Sequence, residues 1–152
     1  MNKQTVSIGE LIPLIKEKIE AGGEITVKVK GSSMNPFFIS DKTNVTLGKP
    51  DSLFHRLDVV LYKNEKDNYA LHRIVGIKGN FLVICGDALQ KNELISSNRV
   101  IARVTSFSTG DATTKTINKT YLSRAKWWVF FKPFRRVILW AKRHVGGSKH
   151  HG

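Results

Sequence analysis

Apolar residues near the start of the chain recur at the spacing of a helix. They fall mostly on one face of residues 8–20, opposite most of the charged residues. These apolar positions are Ile8, Leu11, Ile12, Leu14, Ile15 and Ile19. The pattern predicts an amphipathic helix, which we expect to end at Gly22-Gly23. Pro13 lies inside it, and because proline suits a first turn better than later ones, a helix beginning near Ile12 is the alternative.

From residue 24 onward the pattern changes to short apolar runs separated by turn residues. Runs of strand length cover residues 24–30, 44–47, 57–62, 69–77, 81–85 and 100–104. Polar or glycine-containing turns lie between them, such as Lys78-Gly79-Asn80. Short strands at close spacing favour a mainly β, antiparallel domain.

The last quarter of the chain differs from the rest in charge. The formal net charge is +13; residues 1–114 hold 15 Lys+Arg against 12 Asp+Glu, whereas residues 115–152 hold 10 Lys+Arg and no acid. Residues 107–120 are rich in serine, threonine and glycine, as linkers are. The sequence therefore predicts a β domain with its helix (1–106), a polar linker (107–120) and a basic amphipathic tail (121–152).

The tail interleaves aromatic and cationic side chains. Its candidate membrane-binding residues are Trp127, Trp128, Phe130, Phe131, Arg135, Arg136 and Trp140. Its apolar runs are shorter than the ~20 residues that span a bilayer, but aromatic rings favour the headgroup layer and cations favour anionic lipid. We expect two short amphipathic segments, bent at Pro133, on an anionic membrane surface. Packing on the domain or on a partner subunit is the alternative, and the apolar clustering disfavours a specific nucleic-acid partner.

A stiff turn that carries serine follows the first predicted strand. Gly31 allows the backbone to turn, and Pro36 fixes its own φ and disfavours a helix. Ser33 is then held on a rigid backbone, with Met34 free to pack inward. This arrangement suits a nucleophile, although Gly31-Ser32-Ser33 by itself is more typical of an ordinary loop.

The apolar residues after this turn have two interpretations. Pro36, Phe37 and Phe38 are candidates for the wall of a substrate pocket. Packing in the core is the commoner outcome for such residues.

Few side chains in the strand region can accept a proton. His72 lies between apolar residues in a predicted strand, whereas His55 lies in a loop and is the weaker candidate. A lone histidine in a strand is also commonly structural. The single cysteine, Cys85, excludes an internal disulfide framework, and no metal site or cofactor is predicted.

The motif Gly-x-Ser-Met-x-Pro, at positions 31–36, resembles the nucleophile motif of the signal peptidase I and LexA-like serine peptidases. Further segments resemble the histidine-containing branch of that superfamily, the archaeal and endoplasmic-reticulum type. Leu71-His72-Arg73-Ile74-Val75 matches its His-Arg-Val strand, and Gly86-Asp87 matches its Gly-Asp. Leu57 stands where the Gly-Asp-Val-Val strand of the family begins with glycine. The resemblance is closest to small, anchorless members found with machinery that matures ribosomally made peptides.

This resemblance, which spans roughly residues 10–105, implies a LexA/signal-peptidase-like antiparallel β domain with an N-terminal amphipathic helix. To this domain the sequence pattern adds a C-terminal basic-aromatic helical tail. It also implies a serine endopeptidase that removes a leader or signal segment from a peptide or precursor protein. Ser33 would be the nucleophile, supported by Gly31, Ser32 and Met34, and its N–H would donate to the oxyanion. His72 would be the general base, and Asp87 would orient the imidazole if the site is a triad and not a dyad.

Two expectations complete the functional interpretation. The alternative to an enzyme is a catalytically weak peptide-binding protein of the same fold, acting in peptide maturation or export with partner proteins of such a system. Residues 1–5 are polar, and the sequence carries no apolar run typical of a signal peptide or membrane anchor. We therefore expect a cytoplasmic protein that associates peripherally with the membrane.

Overall fold

The computed structural model describes residues 8–51, 53–110, 115–134 and 140–141 of the chain. Within these ranges the protein is mainly antiparallel β, as the sequence pattern predicted. The helices are α1 (Ile8–Glu20) and α2 (Lys119–Phe130). The strands are β1 (Ile25–Lys28), β2 (Thr43–Gly48), β3 (Val59–Lys63), β4 (Tyr69–Lys78), β5 (Phe81–Cys85), β6 (Glu93–Ser96), β7 (Val100–Thr109) and β8 (Lys115–Thr116).

All strands join one sheet in the order β1-β2-β7-β3-β4-β5-β6, with β8 paired to β7. The run from β3 to β6 is a meander, and its β4–β5 hairpin closes through the two residues Gly79-Asn80 because Lys78 pairs with Phe81. β7 returns from the far end of the sequence and pairs with both β2 and β3. It thereby joins the N-terminal strands to the meander.

Both faces of the central strands are buried. Along β3, Val59 and Leu61 pack into one apolar cluster, while Val60 and Tyr62 pack into another. Successive strand residues point to opposite faces, so the two clusters lie on opposite faces of this strand. The first cluster is covered in part by α1, whose Ile12, Ile15 and Ile19 are buried in it.

The predicted helix 8–20 is confirmed, and it begins at Ile8 and not near Ile12. Pro13 lies on its exposed side. At its end the Gly23 N–H donates to the Lys18 carbonyl at 2.9 Å. The apolar spacing therefore outweighed the local effect of proline.

Two parts of the sheet differ from the prediction. β6 was not expected, because four residues with one buried side chain, Ile95, carry little signal. The predicted linker 107–120 contains the end of β7 and all of β8. Pairing between these two strands gives order to a polar sequence that has no strong local preference.

The first part of the predicted tail also belongs to the domain. α2 begins at Lys119, and the Asn118 side chain caps it by accepting from the Tyr121 N–H at 2.9 Å. Tyr121 and Ala125 are buried, and Tyr121 joins the first apolar cluster. One face of α2 therefore packs on the domain. Packing of this kind was the alternative to membrane binding for this segment.

Candidate active site

The turn that carries Ser33 has the expected construction. Gly31 has φ +81°, and its N–H donates to Ser40 Oγ at 3.0 Å. Met34 is buried in the first apolar cluster, and its carbonyl accepts from the N–H groups of Phe37 and Phe38. The backbone is thus bonded on both sides of Ser33 and fixed to the core by the methionine.

Ser33 itself lies against the segment that follows β5. It is half-buried, whereas Ser32 is exposed. Its carbonyl accepts from the Ala88 N–H at 2.9 Å, and a Cβ added to Gly86 would lie 2.7 Å from the same carbonyl oxygen. Only glycine allows this approach of two backbones.

His72 lies on β4, which pairs with β5, the strand that ends just before Gly86. Arg73 pairs with Cys85 across β4 and β5. The next position along this antiparallel register places Gly86 beside His72. The Ser33 turn and the histidine strand therefore both lie beside Gly86, which the sequence alone marked only as part of a Gly-Asp motif.

The imidazole of His72 is fixed by a tyrosine. Its Nδ1 lies 2.9 Å from Tyr62 Oη, and Tyr62 Oη donates to Glu93 Oε2 at 2.7 Å. Burial lowers the pKa of His72 below its ordinary value, although the nearby charges of Glu93 and Asp87 partly oppose this effect. A shift in this direction favours the neutral ring, which is the form that a general base requires.

Tyr62 and Glu93 were not among the expected site residues. On β3 and β4, Val60 pairs with His72 and Tyr62 pairs with Ala70, so Tyr62 and His72 are diagonal neighbours on one face. That relation depends on strand register, which no local motif encodes. Glu93 begins β6, the strand that the sequence did not predict.

Asp87 lies elsewhere than expected. Both of its carboxylate oxygens accept from Arg73, with distances of 2.8 Å from Nε and 2.7 Å from an Nη. The two side chains are 1% and 0% exposed. Arg73 follows His72 directly, so the two side chains leave β4 on opposite faces. The structure thus places the Asp87 carboxylate on Arg73, and the group that contacts His72 Nδ1 is Tyr62.

Arg73 connects several parts of the site. Beyond Asp87 it donates to the Leu57 carbonyl at 2.9 Å and to Tyr121 Oη at 2.8 Å, and its guanidinium lies 5.0 Å from the centre of the Phe37 ring. Burial opposes its charge, but the charge and hydrogen bonds of Asp87 outweigh burial and raise the pKa of Arg73. The guanidinium therefore stays charged and links α2 to the turn that carries Ser33.

The candidate pocket residues are largely used in packing. Phe38 is fully buried, 5.2 Å from the Phe107 ring. Phe37 is half-buried, with its edge contacts to Tyr121 at 5.6 Å and to Trp128 at 6.4 Å. Phe38 has no surface to offer a substrate, and Pro36 is half-buried.

His55, the weaker candidate for the base, lies on the surface. Its side chain is 64% exposed, its N–H donates to Asp58 Oδ2 at 2.9 Å, and its ring Nδ1 lies 3.9 Å from the same oxygen. These contacts belong to the loop before β3. They give His55 a local structural role.

An exposed group of rings lies on the outer side of α2 and just beyond it. We call Trp127, Phe130, Phe131 and Phe134 the aromatic surface. Trp127 stacks on Phe131 at 5.7 Å, and Phe130 contacts Phe131 at 5.2 Å. Phe130 is 70% exposed. Such a group of exposed aromatic rings is typical of a surface that binds something.

The remaining residues of the predicted membrane surface divide into two groups. Trp128 is half-buried, and its Nε1–H donates to the Asp87 carbonyl at 2.7 Å, so it belongs to the domain. Trp140 is exposed, and Arg135 and Arg136 lie outside the described residues. Among the helices that the structure describes, none has the length and apolar character to cross a bilayer.

In the described ranges, no three histidine, cysteine, aspartate or glutamate side chains come together as a metal site requires. No protein-family model, no curated protein and no solved structure matches the chain.

Proposed function

We propose that the protein is a serine endopeptidase in which Ser33 is the nucleophile and His72 the general base. The observation that carries the proposal is the meeting of the Ser33 turn with the histidine strand at Gly86. Nucleophilic catalysis needs a rigidly held serine within reach of a neutral imidazole. The resemblance of positions 31–36 to the signal peptidase I and LexA-like nucleophile motif supports the role of Ser33, and that of residues 71–75 to the His-Arg-Val strand supports the role of His72.

In this mechanism Nε2 of His72 removes the proton of the Ser33 hydroxyl as Oγ attacks the scissile carbonyl carbon. The imidazolium then returns the proton to the leaving amine, and water releases the acyl group by the reverse steps. Among the described residues, no hydrogen bond occupies the Ser33 N–H. It is the candidate donor to the oxyanion.

The substrate class that fits best is the leader or signal segment of a peptide or precursor protein. This assignment follows from the resemblance to small peptidases found with peptide-maturation systems. The aromatic surface favours a location at a membrane, because exposed tryptophan and phenylalanine rings next to a strongly basic segment bind the anionic face of a membrane. We propose peripheral association of this kind.

Substitution of the two neighbouring serines tests the nucleophile. Wild-type protein, Ser33→Ala and the matched control Ser32→Ala are incubated with a synthetic tetradecapeptide library, and the products are identified by mass spectrometry. We expect Ser33→Ala to abolish cleavage, and Ser32→Ala to retain most of it because Ser32 is exposed and lies outside the meeting point. Equal activity in the wild type and Ser33→Ala would exclude Ser33 as the nucleophile.

The pH dependence tests the base. Since burial lowers the pKa of His72, the rising limb of kcat/KM should lie below pH ~6.5, the ordinary value for histidine. Below that limb the imidazole is protonated and cannot accept the serine proton; above it, activity should level off. The measurement uses a fluorogenic form of the fastest-cleaved library peptide. A rising limb near pH 8 or above would point to a base other than His72.

A further inference from the structure

Three polar side chains from three strands form a continuous chain on one face of the sheet. Tyr62 on β3 lies between His72 on β4 and Glu93 on β6, with oxygen-to-nitrogen and oxygen-to-oxygen distances of 2.9 Å and 2.7 Å. Tyr62 is fully buried, and the other two residues are half-buried. A buried hydroxyl must be hydrogen-bonded, since an unpaired one costs about 1–3 kcal/mol. The chain is therefore a fixed part of the fold.

The hydrogens in this chain can be counted. A tyrosine hydroxyl has one hydrogen, and Tyr62 donates it to the Glu93 carboxylate. In its contact with His72, the same oxygen can then only accept a hydrogen bond. Because Tyr62 Oη lies 2.9 Å from Nδ1, Nδ1 must carry the hydrogen of the neutral ring. Nε2 is left with a lone pair.

We propose that Tyr62, held by Glu93, is a positioning residue that keeps His72 in the Nδ1–H tautomer, with Nε2 ready to accept the Ser33 proton. The inference rests on the proposed function, because it assigns to Tyr62 the task that an aspartate performs in a Ser-His-Asp triad. Asp87 does not take that place, since Arg73 binds both of its oxygens.

The charges around the imidazole determine how the pH dependence of kcat/KM should respond to changes in these hydrogen bonds. The titratable groups beside it are Tyr62 on β3 and Glu93 on β6. The charge of Asp87, which lies on the Arg73 side of β4, also acts on the imidazole, and that of Cys85 acts on the tyrosine. The negative charge of Glu93 raises the pKa of His72 against the effect of burial. Glu93→Gln keeps the shape and removes the charge, so it should move the rising limb of kcat/KM to lower pH.

The tautomer can be measured without any activity. In protein labelled with nitrogen-15 histidine, the ring nitrogen shifts distinguish Nδ1–H from Nε2–H, and His72→Ala identifies the His72 signals among those of the five histidines. At a pH above the His72 pKa we expect Nδ1–H in the wild type. We expect Tyr62→Phe to lose this preference, because histidine in water favours the other tautomer. Tyr69→Phe, on β4, is the matched control and should leave the tautomer of His72 unchanged.

Kinetics with the fluorogenic library peptide give the second readout. Tyr62→Phe should lower kcat about 10- to 100-fold, a part of the ~10²–10⁴ that a positioned base contributes, with little change in KM. Glu93→Gln should lower kcat less than Tyr62→Phe does, and it should move the rising limb of kcat/KM to lower pH. Glu65→Gln, in an exposed loop, should change neither kcat nor the pH profile.

The outcomes separate this inference from the proposed function. An Nε2–H tautomer in the wild type, or an unchanged tautomer and kcat in Tyr62→Phe, would overturn the role of Tyr62 even if Ser33→Ala abolishes cleavage. Conversely, cleavage that persists in Ser33→Ala while His72 shows the Nδ1–H tautomer would reject the peptidase mechanism and leave the Tyr62 geometry standing. Unfolding curves of each variant show whether a loss of activity is a loss of folded protein.

Discussion

The buried ion pair between Arg73 and Asp87 gives the sharpest prediction about stability. Asp87→Asn changes one atom of the side chain, yet it removes the charge that compensates the guanidinium. Both side chains are essentially without exposure to solvent, at 0% and 1%. The asparagine retains one acceptor oxygen, and its amide group would face the guanidinium with another donor.

The expected cost is large for so small a change. Removing one partner of a buried pair destabilises a protein by about 3–5 kcal/mol, because a buried charge is left without compensation. For a chain of this size 1 kcal/mol corresponds to about 2–4 °C in Tm, so we expect Tm to fall by about 6–20 °C. Arg73 keeps its bonds to the Leu57 carbonyl and Tyr121 Oη, which favours the lower half of this range.

Urea unfolding at pH 7, followed by circular dichroism, measures the free energy of unfolding. The matched control is Asp51→Asn, because Asp51 pairs with Arg103 at 2.8 Å but its side chain is 54% exposed. Exposed pairs contribute about 0–1 kcal/mol. A cost below 1 kcal/mol for Asp87→Asn would refute our account of the buried pair. A stable variant without activity would instead return Asp87 to its expected role of orienting His72.

Three other predictions test the packing around the site and the aromatic surface. Gly86→Ala should lower cleavage at least about tenfold, since its Cβ would lie 2.7 Å from the Ser33 carbonyl oxygen and displace Ser33, the proposed nucleophile; cleavage at the wild-type rate would contradict this. Leu57 has φ +81°, so Leu57→Gly should be more stable than Leu57→Ala by about 0.5–1 kcal/mol in urea unfolding, and equal stability would argue against strain. Trp127→Ala should weaken binding to anionic vesicles, measured by sedimentation, about 10- to 100-fold, because burying a large apolar side chain contributes about 1.5–3 kcal/mol. Phe81→Ala, which removes another exposed ring, should leave this binding unchanged. Equal binding by all three proteins would exclude the aromatic surface as the contact.

The vesicle experiment uses substitution because truncation of the tail would remove part of the core. Tyr121 and Ala125 are buried, and Tyr121 binds Arg73. A chain that ends before α2 would expose the ion pair on one side. Loss of vesicle binding in such a chain would then report unfolding as much as loss of the aromatic surface.

The local patterns of the sequence determined much of the fold. The 3.6-residue spacing predicted helix 8–20, and β5 lies at residues 81–85 as expected. In both segments the order of apolar and polar residues reflects which side chains are buried. The turn at Gly31 and the inward packing of Met34 could also be predicted, since glycine and proline act on the backbone at their own positions.

Only the tertiary structure decided which polar groups meet. Register places Tyr62 on the face of His72, and pairing with β5 brings Glu93 to the same hydroxyl. Asp87 lies on the face of Arg73 because adjacent residues of β4 point in opposite directions. These relations join positions 10 to 31 residues apart. A motif specifies the residues of a site, but the partners of each side chain depend on strand pairing and burial, which are properties of the whole sheet.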